Sequence, residues 1–186
     1  MSKKNISIFI SFLLRHKPEL VKLAMDSHGW VYTQQLIHGI NVYSEYTITL
    51  EQLEKIVAED KKGRYRFNDD KSMIKACQGH SVPWVEPELE YMEPPVFLYH
   101  GTTLENWKKI QESGAILKMS RHAVHMQAYE DEAWKSAKRW KNSTPVVLRI
   151  AADELYEHGT VFGRTENGIW CAEEIPTEYI KGVLYE

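Results

Sequence analysis

Arginine and histidine gather at three far-apart places in this chain: Leu-Leu-Arg-His-Lys-Pro from Leu13 to Pro18, Lys-Gly-Arg-Tyr-Arg-Phe from Lys62 to Phe67, and Lys-Met-Ser-Arg-His-Ala-Val-His from Lys118 to His125. The chemistry such residues do best is gripping phosphate. A guanidinium offers a planar fork of donors that meets a phosphate at two oxygens, and it stays charged at any physiological pH. Three clusters folded onto one place would make an anion site. Each cluster also has a plainer reading. Arg15 and His16 at a helix end would complement the helix dipole. Arg64 could be a solvated hairpin residue, and Arg66 fits that description better. His122 and His125 stand three apart with no third ligand nearby, so no metal is expected.

The bulk of the sequence narrows the partners. With 186 residues and 43% hydrophobic content, the chain suits one large domain or two small lobes. A formal net charge of −3 excludes a histone-like coat of positive charge, so any contact with nucleic acid must be a local basic patch. Cys77 and Cys171 are the only cysteines and lack the spacing of a zinc site or a disulfide framework, which reads as two reduced core thiols. The apolar run near the N-terminus is about nine residues long, is followed directly by Arg15-His16-Lys17-Pro18 and lacks a small-residue cleavage pattern, so neither a signal sequence nor a membrane span is expected there. A cytoplasmic protein with no membrane contact is expected.

The elements that must position these residues follow from periodicity. Ile6, Phe9, Ile10, Leu13 and Leu14 recur at helical spacing up to the stop at Pro18. A turn at Ser27-His28-Gly29 leads into a short strand from Trp30 to Tyr32, with Thr33 placed to cap a helix holding Leu36 and Ile37. Thr49 precedes a helix with Leu50, Leu53, Ile56 and Val57 on one face. Arg64 to Phe67 and Met73 to Ala76 read as two strands joined by a turn at Asn68 to Lys71. Three helices and then a hairpin outline a winged-helix lobe. Pro83, Pro87, Pro94 and Pro95 mark a linker. Beyond it come a strand Phe97 to Tyr99, a turn His100-Gly101-Thr102, a helix from Leu104 to Glu112 ended by Gly114, and a second helix from Gln127 to Trp140. Pro145 to Ile150 and short runs near Val161, Ile169 and Val183 complete a strand-rich second half.

Six strings in order carry a resemblance over about Ile8 to Leu184: SFLLRHKP, the Asp26 to Trp30 turn, KGRY with IKACQGHSV, LYHGT, MSRHAVH and NGIWCAEEIP. Together the chain resembles the NAD-dependent RNA 2'-phosphotransferases known from tRNA splicing. The resemblance implies an α+β fold: a winged-helix RNA-binding lobe (1–82), a Pro-rich linker (83–95), and an ADP-ribosyltransferase-like split β-sheet lobe that binds NAD (96–186), with the active site in the cleft between them. The implied reaction removes an internal RNA 2'-phosphate by transfer to NAD through an ADP-ribosylated 2'-phosphate, giving 2'-OH RNA, nicotinamide and ADP-ribose 1'',2''-cyclic phosphate. An ADP-ribosyltransferase acting on terminal phosphates of nucleic acids, and a non-catalytic winged-helix nucleic-acid-binding protein, are the alternatives.

The same resemblance assigns roles. Arg15, His16, Arg64 and Arg121 form the catalytic set, with the arginines on the phosphate and His16 either bonding it or shuttling a ribose hydroxyl proton. His100, Gly101 and Thr102 look like an NAD-binding signature, the glycine admitting the nicotinamide or ribose to the backbone. Asn167, Gly168 and Trp170 would close the nicotinamide side, although a hairpin turn with a core tryptophan explains Trp170 equally well. No G-x-G-x-x-G is present, so NAD would not be held in a Rossmann manner. Lys75, His80 and His125 are candidates for phosphate or nucleotide contact. Two departures limit the match: Ala123 stands where the family usually has histidine, and Lys75 where it tends to have arginine. The expected partners are 2'-phosphorylated RNA and NAD, with the protein a monomer.

Overall fold

In the computed structural model of this chain, residues 3–86 and 88–186 are described. The chain divides into two compact units, Met1–Glu88 and Leu89–Glu186. Both mix helices with antiparallel strands, the α+β class.

In the first unit, α1 (Lys3–Arg15) buries Ile10, Leu13 and Leu14 completely, the stripe that its helical periodicity marks out. A 3-10 turn (Pro18–Val21) follows. Then come β1 (Val31–Tyr32), α2 (Thr33–Tyr43), α3 (Leu50–Ala58), β2 (Tyr65–Phe67) and β3 (Met73–Ala76). The strands form an antiparallel sheet in the order β1-β3-β2, with Tyr65 opposite Ala76 and Phe67 opposite Ile74. Leu36, Ile40, Leu53 and Ile74 join the α1 residues in one core. Thr49 starts α3 with a reciprocal capping box: its hydroxyl accepts from Gln52 N, and the Gln52 side chain accepts from Thr49 N. Thr33 does not cap α2. It is the first helical residue, and its buried hydroxyl donates to Lys71 O at 2.8 Å, a tertiary bond that outcompetes local capping.

The second unit contains β4 (Glu90–Tyr91), β5 (Phe97–Thr103), α4 (Leu104–Ser113), β6 (Ala115–Leu117), β7 (Val124–Met126), α5 (Glu130–Ala137), β8 (Pro145–Ala151), α6 (Ala152–Glu157), β9 (Gly163–Arg164), β10 (Trp170–Ala172), β11 (Glu174–Pro176) and β12 (Ile180–Tyr185). They make three antiparallel sheets, β12-β8-β5, β4-β9-β10-β7 and β11-β6. Leu98, Met126, Leu148, Ile150, Phe162 and Ile175 are packed in the main core.

Three expectations change here. His100-Gly101-Thr102 is not a turn, because β5 runs straight through it and pairs with β8 as His100 with Leu148, Gly101 with Val147 and Thr102 with Val146. The second helix is shorter than 127–140 at both ends. Gln127 exchanges backbone hydrogen bonds with Tyr99 at 2.8 and 2.9 Å, which ties it to β5, and beyond Ala137 the chain offers no apolar face, with Trp140 60% exposed. Of the two thiols only Cys171 is a core group; Cys77, just past the end of β3 at Ala76, is half-buried.

Candidate functional site

Sequence-distant residues meet in the first unit along the segment 77–81. Cys77 N donates to Arg64 O at 2.9 Å, just before β2, and Ser81 N donates to Arg15 O at 2.9 Å, at the end of α1. One five-residue strap thus fastens the two basic clusters to each other. Gly79, in the left-handed region at φ +81, lies beside the Arg15 guanidinium: a Cβ there would sit 3.8 Å from Cζ. Ser81 Oγ lies 2.8 Å from His16 Nδ1 and so fixes the imidazole plane. His80 is buried next to Gly29, whose own left-handed backbone (φ +80) lets the ring in; a Cβ at Gly29 would come within 2.8 Å of His80 Nε2.

Arg64 is aimed by Asp60. Its Nε and Nη2 donate to Asp60 Oδ1 at 2.9 and 2.7 Å, while its backbone N–H donates to Oδ2. Burial pushes the Asp60 carboxyl up, yet hydrogen bonds from the Arg64 side chain and backbone hold it below the usual range. The same bond raises Arg64, so the pair stays ionised through the neutral range. Arg66 is placed differently from expectation, and Lys75 shares its surroundings. Lys75 is 4% exposed with its ammonium on Glu88, and Arg66 shares that carboxylate and lies over the Trp30 ring, so neither is a simply solvated cation.

The second unit gathers His100, His125 and Arg121. His100 Nδ1 is 2.9 Å from His125 O, and because a carbonyl only accepts, Nδ1 carries the proton. Burial lowers the His100 pKa, with Arg121 adding to the effect, so the ring is neutral and its Nε2 is an acceptor. Arg121 Nη1 lies 3.4 Å from His125 Nδ1. Arg121 itself is exposed on a loop in which Met119 holds a left-handed φ of 56° while 82% exposed. That strain on a non-glycine residue is kept next to the arginine.

A pH dependence follows from His100. The unfolded chain takes up a proton near the ordinary histidine value of about 6.5, whereas the folded ring resists it. Stability from this group is full above that pH and is lost as pH falls below it. Denaturation at pH 7.5 and 5.5 should show a smaller pH-dependent loss in His100→Gln than in the parent. An equal loss in both would show that His100 does not carry it.

Gly101 has a packing reason to be glycine. A Cβ there would lie 2.0 Å from Ala133 O of α5, so on that side the close backbone approach is made by a helix. Thr102 is buried. Thr165 to Ile169 forms the β9–β10 hairpin, in which Thr165 Oγ1 donates to Asn167 Oδ1 at 2.7 Å and Gly168 takes φ +81. Trp170 is 5% exposed and belongs to the core with Leu98 and Met126, the plainer of its two readings. Ala123 packs with Ile169 and Cys171 in a small apolar cluster. Burial pushes the Cys171 thiol up to about 12, which makes it inert.

Three supporting residues were not foreseen: Asp60, Ser81 and Glu88. Asp60 lies four positions before Arg64, a spacing that could have flagged it; nothing local marks Glu88. Among the described residues no group of three or more His, Cys, Asp or Glu side chains could hold a metal ion, and no helix is long and apolar enough to cross a membrane.

Arginines aimed by carboxylate or strap in one unit, and a neutral acceptor imidazole beside an arginine in the other, are the fittings of a group transferase that handles phosphate. A model of the RNA 2'-phosphotransferase, Tpt1 / KptA family, matches residues 1–174. A probable RNA 2'-phosphotransferase of Fusobacterium nucleatum is 40% identical over 173 residues, 93% of this chain and 94% of that one. Proteins of the same description from Pectobacterium atrosepticum and Burkholderia pseudomallei are 38% and 36% identical, covering 97% and 94% of this chain and 99% and 92% of theirs. This chain belongs to the RNA 2'-phosphotransferase family.

Proposed function

We propose that the protein removes an internal 2'-phosphate from RNA by transferring it to NAD. A 2'-phosphate oxygen attacks the anomeric carbon of the nicotinamide ribose, and nicotinamide leaves with the electrons of the broken C–N bond. A hydroxyl of the same ribose then attacks phosphorus, the bond to the RNA 2'-oxygen breaks, and that oxygen takes up the proton. The products are 2'-OH RNA and ADP-ribose 1'',2''-cyclic phosphate. The observation that carries this reading is the family match over residues 1–174, which includes every side chain of the catalytic set.

Arg15 and Arg64 bind the phosphate, and Arg121 stabilises charge on its oxygens during transfer. His16, oriented by Ser81, takes the hydroxyl proton in the second step. The acceptor Nε2 of His100 fits a ribose hydroxyl, so NAD suits the residues present, while Thr102 and Trp170 act by holding the strands that carry the site. The first unit serves as a winged-helix RNA-binding lobe and the second as an ADP-ribosyltransferase-like lobe, acting as a cytoplasmic monomer.

Incubation with NAD and an oligoribonucleotide carrying an internal 2'-phosphate tests the reading. Loss of the phosphate with cyclic ADP-ribose phosphate appearing is expected. A stable ADP-ribosylated RNA would reassign the protein to ADP-ribosylation alone, and absence of nicotinamide release would sink both. Ser81→Ala should lower kcat about tenfold and shift its pH profile while NAD affinity is kept, with Ser81→Thr restoring the profile. An unchanged profile in Ser81→Ala would remove Ser81 from this role.

A further inference from the structure

Arg66 and Lys75 face each other directly across β2 and β3, an arrangement of like charges that destabilises a sheet unless an anion lies between them. The anion is Glu88. Its Oε2 lies 2.6 Å from Lys75 Nζ and 3.3 Å from Arg66 Nη2, so two cations converge on one oxygen. Trp30 walls the place: its ring centroid is 4.7 Å from Arg66 Cζ and 4.8 Å from Lys75 Nζ. The depth order is informative. The Lys75 side chain is 5% exposed and that of Glu88 is 45% exposed, so the lysine is the floor and the carboxylate is the cover. Two cations against one carboxylate leave a net positive charge, and a phosphodiester would bring the same single negative charge with two unesterified oxygens, one for each cation.

We propose that Arg66, Lys75 and Trp30 form a seat for a backbone phosphate of RNA, separate from the catalytic set, and that Glu88 fills this seat from within the chain until RNA displaces it. The choice of RNA rests on the function proposed above; the seat itself rests on the geometry. Glu88 is tethered, so it competes at a high effective concentration and weakens RNA binding. It is a built-in competitor that rejects weak, single-phosphate ligands and yields to a polyanion engaged at other points as well. Burial raises the Glu88 carboxyl, but the hydrogen bond and charge of Lys75 and the charge of Arg66 outweigh it and hold the carboxyl below its ordinary range.

The test is fluorescence anisotropy with a labelled single-stranded oligoribonucleotide that lacks any 2'-phosphate, which takes turnover out of the measurement. Glu88→Gln should tighten binding about five- to tenfold and steepen the salt dependence by up to about 0.7 in the log–log slope, the share of one added phosphate contact. Arg66→Gln placed on top of Glu88→Gln should remove the gain, with NAD affinity the same in all variants. Unchanged or weaker RNA binding by Glu88→Gln, with a lowered melting temperature, would make the pair a structural staple and overturn the proposal. So would loss of the gain to low-millimolar inorganic phosphate, which would assign the seat to free phosphate. Nicotinamide release from 2'-phosphorylated RNA is scored separately. If it fails while Glu88→Gln still tightens RNA binding, the catalytic reading falls and the seat stands.

Discussion

Arg121→Ala is expected to slow release of the RNA phosphate by about 2 kcal/mol or more, roughly thirtyfold, while NAD affinity changes little. A guanidinium facing phosphorus oxygens bonds them more strongly as charge builds during transfer, so its loss falls on the transition state rather than on binding. Arg121 is exposed and ties into the fold through a 3.4 Å contact with His125 and a turn in which its N–H donates to Lys118 O at 3.0 Å, so the substitution should leave the melting temperature nearly unchanged. Arg64→Ala should have an effect of the same size. Asp60→Asn keeps the guanidinium but loses the carboxylate that aims it, so its loss should be smaller and should fall on the same step. Single-turnover measurement of phosphate and nicotinamide release separates these cases. Full turnover in Arg121→Ala would refute the role given to that residue.

Gly101→Ala is expected to be the most damaging single methyl in the chain, costing about 3 kcal/mol of stability. The new Cβ would meet Ala133 O at 2.0 Å, with Ala133 C and Ala137 N both at 2.9 Å. All three are backbone atoms of α5 and cannot rotate away as a side chain would. The helix must lift from the sheet, loosening the packing of Ala133, Ala137 and Val147. Gly114→Ala is the comparison. Nothing lies within 4 Å of its Cβ, but its φ of +79 strains any other residue, so it should cost only about 1 kcal/mol. Urea denaturation of both variants decides the matter. If Gly101→Ala matches the parent in stability and loses only NAD affinity, the glycine serves the ligand and not the helix.

The α1 stripe and the α3 helix were legible because their signals are local. Helical spacing of Phe9, Ile10, Leu13 and Leu14 and the Thr49 cap concern residues within a few positions of each other. Extended structure around His100 was missed because a glycine at a strand end usually signals a turn; only the pairing of β5 with β8, some 48 residues on by the match of His100 with Leu148, shows that the strand continues. Strand β7 carries no sequence signal of its own for the same reason, since its partners Trp170, Cys171 and Ala172 lie far along the chain.

For the site, the sequence alone determined which residue types were available: the arginines, His16 and His100, and six family strings in their order. Residue chemistry and chain order are properties of the sequence and need no coordinates. Only the tertiary structure decided which of these groups are aimed and which are consumed. The 77–81 strap ties Arg15 and Arg64 together, Asp60 fixes one guanidinium, and burial with a carbonyl partner makes His100 a neutral acceptor. Lys75 is paired with Glu88, and Trp170 lies in the core. Those outcomes depend on distances, burial and local field between residues remote in sequence, and such quantities come into being only when the chain folds.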